Sequence, residues 1–387
     1  MPETTQGDPV QLLQALIRCP SVTPEAAGVF DVVEAALRPL GFATTRLRFE
    51  GDGSYPVENL FATRGARGKH LLFAGHTDVV PPGEAASWSH APFAGDITDG
   101  KIYGRGAADM KSGVAAFIAA VERTADEGSA DRGTISLAIT NDEEADAVNG
   151  TEKLMAWAAR EGHRFDFAIV GEPSSGERLG DGIKIGRRGS LNGRITVTGV
   201  QGHVAYPEKA RNPVPVLAAI VTALGGKLDD GTAHFPASNL EFTSIDVGNE
   251  TTNVIPARAV ARFNVRYNDS WTPETLEATV RQHLTQLDTG GCTIAFGPDG
   301  RASRSFLSPP GGAVETLRAT IERVTGTPPE LSTAGGTSDA RFIAPYCPVV
   351  ECGLPGPSMH KIDEHVAIAD VEGLTALYAA FIGDYFA

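Results

Sequence analysis

Apolar residues in the first forty positions recur every three or four steps: Leu12, Leu13, Leu16 and Ile17, then Val29, Val32, Val33, Ala36 and Leu37. That spacing belongs to helices that bury one face, and Pro20 and Pro24 mark the break between them. The pattern then switches to short continuous apolar runs, LLFAG from residue 71, TISLAIT at 134–140 and FAIVG at 167–171. Helical segments at 112–124 and 151–160 alternate with these runs. The alternation predicts a layered α/β domain with a largely parallel central sheet.

Near residue 183 the character changes. A strand at 183–198, a helix at 213–228, strands at 239–247 and 258–267, a helix at 273–287 and a strand at 292–297 give the order βαββαβ. This is the split arrangement of ferredoxin-like domains. Thr272 before Pro273, with an acid downstream, supplies a start signal for the second of these helices. After about residue 302 the α/β pattern resumes, with a helix at 312–324 and the strand PVVECG. At 387 residues the chain exceeds one ordinary core. The expected organisation is a discontinuous larger domain, 1–188 and 302–387, with a smaller domain, 189–301, inserted in it.

Composition adds exclusions. With 33 Lys plus Arg against 48 Asp plus Glu, the formal charge is −15, which opposes non-specific attraction to nucleic acid or anionic membrane. Part of the acidic excess would suit a carboxylate cluster that holds cations. No apolar run has the length of a membrane span, and the opening MPETTQGDPV lacks the basic and apolar regions of a signal peptide. A cytoplasmic protein is expected. Cys19, Cys292, Cys347 and Cys352 form no CxxC pair and are expected to be free thiols.

The candidate chemistry starts in LLFAGHTDVVPPG, 71–83, where an apolar strand ends and His76, Thr77 and Asp78 follow. Residues i and i+2 of a strand share a face, so Asp78 is placed to accept the second N–H of His76 and leave the other nitrogen for a metal. GRGAADMKSG puts Asp109 just before a helix, as an N-cap or as a ligand. The same segment loosely matches a dinucleotide fingerprint, but Asp109 stands at the third glycine position and no tight βαβ unit precedes it. NDEEA follows TISLAIT directly and sets Glu143 and Glu144 at a strand's carboxyl end, where ligand sites of open α/β sheets gather. One of the pair can bind metal while its neighbour handles protons. GEP offers Glu172 in a similar position, and SMHK adds His360. His76, Asp109, Glu144, Glu172 and His360 together make a set of two imidazoles and three carboxylates. Shared between two ions with one carboxylate bridging, that set is a co-catalytic dizinc arrangement.

FAGHTDVVPPG, GRGAADMK, NDEEA, GEPS, KIGRRGS, QGHVAYP, NVIP, GGTSDARF and MHK occur in this order, and from about residue 10 to the C-terminus the chain resembles the M20 metallopeptidase family. The resemblance implies a zinc-peptidase-like catalytic domain with two zinc ions per subunit, cobalt being an alternative at one position. It implies that His76 and Glu172 hold one ion, Glu144 and His360 the other, and that Asp109 bridges them. Asp78 would orient His76, and Glu143 would be the general base and acid. The inserted domain would be a lid through which the protein forms a homodimer and lends His203 to the neighbouring active site. Arg187, Ser190, Tyr206, Asn253, Arg266 and Thr337 match positions associated with substrate contacts.

The implied activity is removal of the succinyl group from an N-succinylated diamino-diacid, a small-molecule substrate, with a sister N-acyl-amino-acid deacylase as the alternative. Guanidinium forks grip carboxylates bidentately, and such a substrate carries three. Judged without the resemblance, His203 would sit in a turn, and either arginine could form a surface ion pair. Glu208 and Pro215 stand where the family pattern has histidines, and Gly356 where it has an asparagine. A non-catalytic binding protein on the same fold is the rival of a different class, and the complete ligand set with a free Glu143 argues against it.

Overall fold

The computed structural model describes residues 7–125 and 132–387. The chain divides into two compact units. The first takes the chain up to Ile185, then Ser308–Ser332 and Ser338–Ala387; the second comprises Gly186–Leu307 and Thr333–Thr337.

The first unit is built on an eight-stranded sheet in the order Ala43–Gly51, Ser54–Arg64, Thr134–Thr140, His70–His76, Phe167–Val170, Val349–Glu351, Gly182–Lys184 and Glu330–Ser332. The four central strands, from Thr134–Thr140 to Val349–Glu351, run parallel. The first two form an antiparallel hairpin that also pairs antiparallel with Thr134–Thr140, and Gly182–Lys184 meets Val349–Glu351 antiparallel while pairing parallel with Glu330–Ser332, so the sheet is mixed around a parallel centre. His70–His76 and Thr134–Thr140 are buried at every position, as expected of parallel strands covered on both faces.

Alternate residues of the His70 strand meet different layers. Phe73 stacks on Phe117 of the helix Ser112–Ala125 at 4.2 Å and meets Tyr378 of Ile368–Phe386 edge-on. His70, on the other face, packs against Phe165 and His163 and bonds to Ser136 Oγ. The helices Pro9–Ile17, Ser112–Ala125, Gly312–Thr325 and Ile368–Phe386 pack with one another. Thr151–Arg160 packs with Ala340–Ile343 and covers the strands Ser54–Arg64 and Thr134–Thr140.

The second unit holds an antiparallel sheet in the order Gly226–Lys227, Asn239–Asp246, Arg258–Tyr267, Gly189–Thr198 and Thr293–Pro298, with the helices Pro213–Leu224 and Pro273–Thr285 packed on it. Its four long strands and two helices follow the chain as βαββαβ. Leu191, Ile195, Val197, Leu217, Ile220, Phe263, Val265 and Leu276 form the core.

Three local expectations need revision. The run 183–198 is three separate strands, of which Gly182–Lys184 belongs to the large sheet. The first helix of the small unit stops at Leu224, because Gly226 takes a positive φ and starts a strand paired with Asn239–Asp246. Thr272 does cap the second helix, but the reciprocal partner is the hydroxyl of Thr275 rather than an acid.

The unit boundaries also differ from 188/189 and 301/302. Phe306–Leu307 pairs antiparallel with Gly186–Arg187, extending the second unit at both crossings. The return segment is tied in where Thr333 Oγ1 donates to His234 O and Arg187 Nη1 to Ala334 O. No helix among the described residues is long and apolar enough to cross a membrane.

Gly113, in the first turn of Ser112–Ala125, shows how closely this helix sits on the sheet. A Cβ there would fall inside van der Waals contact of the carbonyl oxygen of Gly171, the residue before Glu172. A backbone obstruction cannot rotate away. Gly113→Ala is expected to destabilise the fold by about 1–3 kcal/mol, measured by denaturant unfolding, despite the better intrinsic helix propensity of alanine.

Candidate metal centre

Three parallel strands deliver side chains to one end of the sheet. His76 closes its strand, Glu172 follows Phe167–Val170 by two residues, and Glu143 and Glu144 follow Thr134–Thr140 by three and four. The carboxyl end of such strands is where open α/β sheets assemble sites. Asp109 and His360 come instead from loops. Asp109 lies in the buried irregular turn Ala107–Lys111 that leads into Ser112–Ala125, and His360 in the connection between Val349–Glu351 and His365–Ala367.

These five residues converge. His76 Nε2 lies 3.2 Å from Asp109 Oδ1 and 3.4 Å from Glu172 Oε1. His360 Nε2 lies 3.3 Å from Asp109 Oδ2 and 3.0 Å from Glu144 Oε1. The two oxygens of Asp109 therefore face one imidazole each. Two trios result, His76–Asp109–Glu172 and Asp109–Glu144–His360, whose candidate ligand atoms lie within 4.8 Å of one another. Asp109 is not an N-cap; its backbone N–H donates to Glu364 Oε1 and its side chain is shared between the trios.

Asp78 differs in detail from its expected role. The second nitrogen of His76, Nδ1, is 2.9 Å from the backbone carbonyl oxygen of Asp78, while the carboxylate stands 3.6 Å away. The carboxylate is occupied otherwise: it accepts from the backbone N–H groups of Glu143 and Glu144, 3.1 Å each to Oδ2, and from Thr23 Oγ1 at 2.7 Å. Asp78 thus fixes the His76 ring through its main chain and the Glu143–Glu144 turn through its side chain.

The electrostatics suit bound cations. Desolvation pushes the Glu172 carboxyl up to about 8, with the Asp109 charge adding to it and His76 opposing. Glu143 is raised well above the carboxylate range by burial and by the charges of Glu172, Asp339 and Glu144. Burial raises Asp78 to about 6. Against their own desolvation, hydrogen bonds from His360 and His76 hold Asp109 low, and bonds to Asp109 and Glu172 raise His76. Bonds to Asp109 and Glu144 push His360 to about 10. In the protein alone, protons on the imidazoles offset the carboxylate charge. Two imidazole nitrogens and three carboxylates are the donor set that divalent ions of the zinc type take up.

Glu143 belongs to neither trio. Three neighbours were not singled out from the sequence: Thr23 on Asp78, Glu364 on the backbone of Ala108 and Asp109, and Asp339, whose buried carboxylate raises Glu143. Thr23 and Glu364 come from stretches with no ligand-type spacing, whereas Asp339 lies within GGTSDARF, where the resemblance pointed to Thr337 alone.

The remaining singled-out residues lie in the second unit. Gly202–His203 pairs antiparallel with Val254–Ile255, which brings QGH and NVIP together, and the N–H of Val204 donates to Asn253 O. His203 is exposed; its Nδ1 accepts the N–H of Ala205, leaving Nε2 to carry the proton of the neutral ring. Tyr206 is exposed beside it. Ser190 and Arg266 are direct partners across two strands, and Ser190 Oγ accepts from Asn264. Arg266 has a buried Nη1 without a hydrogen-bond partner, and desolvation and Arg188 both lower its pKa. Arg187 donates to Ala334 O in the segment that ends at Thr337.

Residues 72–384 match the model of peptidase family M20/M25/M40, and the chain belongs to that family. It is 54% identical over 381 residues to a succinyl-diaminopimelate desuccinylase from Rhodospirillum centenum, covering 98% of each chain. Two solved structures share its fold at lower identity. An M20 family metallo-carboxypeptidase from Sulfolobus solfataricus superposes with a TM-score of 0.77 at 19% identity, over 98% of this chain and 99% of that one. Human carnosine dipeptidase 1 gives 0.74 at 19%, over 98% and 96%.

Because its folded pKa of about 10 exceeds its ordinary 6.5, protonated His360 contributes stability that is complete below about 6.5 and lost as pH rises through 10. In metal-free protein, NMR should find this imidazole still protonated at pH 8. A cation held by this imidazole would displace that proton, so metal uptake at pH 7 should release protons, seen as a binding heat that varies with the ionisation enthalpy of the buffer. A ring already neutral at pH 8 would contradict the assignment.

Proposed function

We propose that the chain hydrolyses N-succinyl-LL-2,6-diaminopimelate to LL-2,6-diaminopimelate and succinate, in lysine and diaminopimelate biosynthesis, as a cytoplasmic dizinc homodimer. The observation that carries the hydrolytic reading is Asp109 shared between two imidazole–carboxylate groups, with Glu143 beside them and free of both. The substrate reading rests on the 54% identical relative and its name.

Bound zinc would polarise the amide carbonyl and make water acidic enough to give up a proton near neutral pH. The chain's own residues do the rest. Asp78 holds the Glu143–Glu144 turn by two backbone bonds, so that Glu144 turns to His360 while the Glu143 carboxyl stays free. A base must have a proton affinity near the working pH, and burial raises that of Glu143 towards it. Glu143 takes the proton of the attacking water and returns it to the leaving amine. The Nε2–H of His203, given by the partner subunit, would donate to the developing oxyanion. Arg266, with its unpartnered buried Nη1, supplies a fork for a substrate carboxylate, helped by Arg187, Ser190, Tyr206, Asn253 and Thr337.

Glu208, Pro215 and Gly356 keep a sister deacylase, such as an acetylornithine deacetylase, as the second reading. A hydrolysis screen over succinylated and acetylated amino acids separates the two, and preference for the acetyl substrates would refute the first.

Glu143→Gln should keep about two zinc ions per chain by elemental analysis yet lower kcat roughly 10²–10⁴-fold, because the role is proton transfer. Glu144→Gln should weaken metal binding instead. The opposite pattern would exchange their roles.

Donation of His203 in trans has its own test. His203→Ala and Glu143→Gln homodimers should each be nearly inactive, and mixing them with subunit exchange should restore about a quarter of wild-type activity. Half the dimers are then mixed and half of their sites are intact, as an isologous interface requires. No recovery, with exchange verified by tags, would place His203 on its own subunit's substrate or outside the reaction.

A further inference from the structure

Asp109 and His360 are the two candidate ligands that no strand end holds, and one buried ion pair joins their loops. Glu364 is fully buried and Arg105 nearly so, with Nη1 2.6 Å from Glu364 Oε2. The other oxygen of Glu364, Oε1, accepts the backbone N–H of Ala108 at 2.9 Å and of Asp109 at 3.2 Å. On the opposite side, Arg105 Nη1 donates to Lys361 O at 3.2 Å, and Nη2 approaches His360 O at 3.5 Å. The Gly104 N–H donates to Glu364 O, and His365–Ala367 pairs with Lys101–Tyr103 to anchor both loops at one edge. The Arg105 guanidinium lies over the Trp88 ring, 5.2 Å from its centroid.

We infer that Glu364 and Arg105 are positioning residues that set the place of Asp109 relative to His360, and so the affinity for the second cation; this rests on the two-metal reading above. The physical reason is leverage. Asp109 spans both trios through two oxygens, so a small rotation of its backbone misplaces a ligand for each. Asp109 lies outside the strand ladders, and a carboxylate accepting the two consecutive N–H groups of Ala108 and Asp109 opposes that rotation. The same carboxylate, through Arg105, fixes the carbonyls of the loop that carries His360. Removing such supporting partners of metal ligands typically costs 10–100-fold in metal affinity.

Zinc titration of metal-free protein by calorimetry, with thermal unfolding of the same metal-free samples, tests the inference without reference to turnover. Glu364→Gln retains an oxygen acceptor for the two N–H groups but loses the ionic bond to Arg105; Glu364→Leu loses both. Arg105→Met combined with Glu364→Gln removes both charges and leaves no buried ion uncompensated.

For Glu364→Leu the weaker zinc step should lose about 10–100-fold in affinity, with a smaller loss for Glu364→Gln and the double variant. Cobalt(II) absorption, which reports ligand geometry, should change in the Leu variant and be largely recovered in the Gln variant. A variant that unfolds at a lower temperature while metal-free but binds two zinc ions with wild-type affinity would reduce the pair to a structural role and overturn the inference. Failure of the wild type itself to bind two ions would overturn the two-metal reading, and this inference with it.

Discussion

The larger unit is constrained above all by carboxylate repulsion. Asp78, Asp109, Glu143, Glu144, Glu172 and Asp339 gather at the carboxyl end of three parallel strands, and several are buried. Like charges in a place water hardly reaches are costly unless each is bonded, neutralised or paired with a cation. The fold answers group by group. Asp78 receives backbone donors and a threonine hydroxyl, while Asp109, Glu144 and Glu172 face imidazoles. Glu143 has no such partner and burial raises it, and burial raises Asp339 as well, against the opposing charge of Arg341 at 4.0 Å. A site so deficient in positive charge favours divalent cations over protons as pH rises, which is why the carboxylate arrangement and a metal-dependent hydrolysis belong together.

The strands carrying this cluster were legible because parallel strands under two helix layers leave continuous apolar runs. TISLAIT and the helix 151–160 are found with the expected limits. The hairpin Ala43–Gly51 and Ser54–Arg64 gave no such run, because one of its strands alternates between half-buried and exposed residues and contains Arg46, Arg48 and Glu50. Its antiparallel pairing makes the sheet mixed. In the smaller unit the order of elements was legible from turn residues and period. The crossings were less so, because the short pairing of Phe306–Leu307 with Gly186–Arg187 joins segments more than a hundred residues apart and carries no periodic signal.

For the site, ligand-type residues beside strand ends were readable, since chain direction fixes where those side chains emerge. What holds them was not. Asp78 illustrates the limit: a spacing of two residues placed it beside His76, yet the backbone oxygen takes the ring N–H and the carboxylate goes to a turn more than sixty residues later. Spacing gives proximity within one element. The choice among acceptors is settled by where the rest of the fold brings its unsatisfied N–H groups.

The division between strand-borne and loop-borne groups bears on chemistry. His76 and Glu172 stand at the ends of strands locked by ladders on both sides, so their geometry is as rigid as the sheet. Glu144 follows the Thr134 strand but depends on Asp78 to hold its turn. Asp109 and His360 depend on long-range bonds between loops, with Glu364 as their common acceptor or neighbour through Arg105. These two residues are thus held by side-chain bonds between loops rather than by a ladder. Each oxygen of Asp109 faces one imidazole, so a displacement of that carboxylate alters both trios at once.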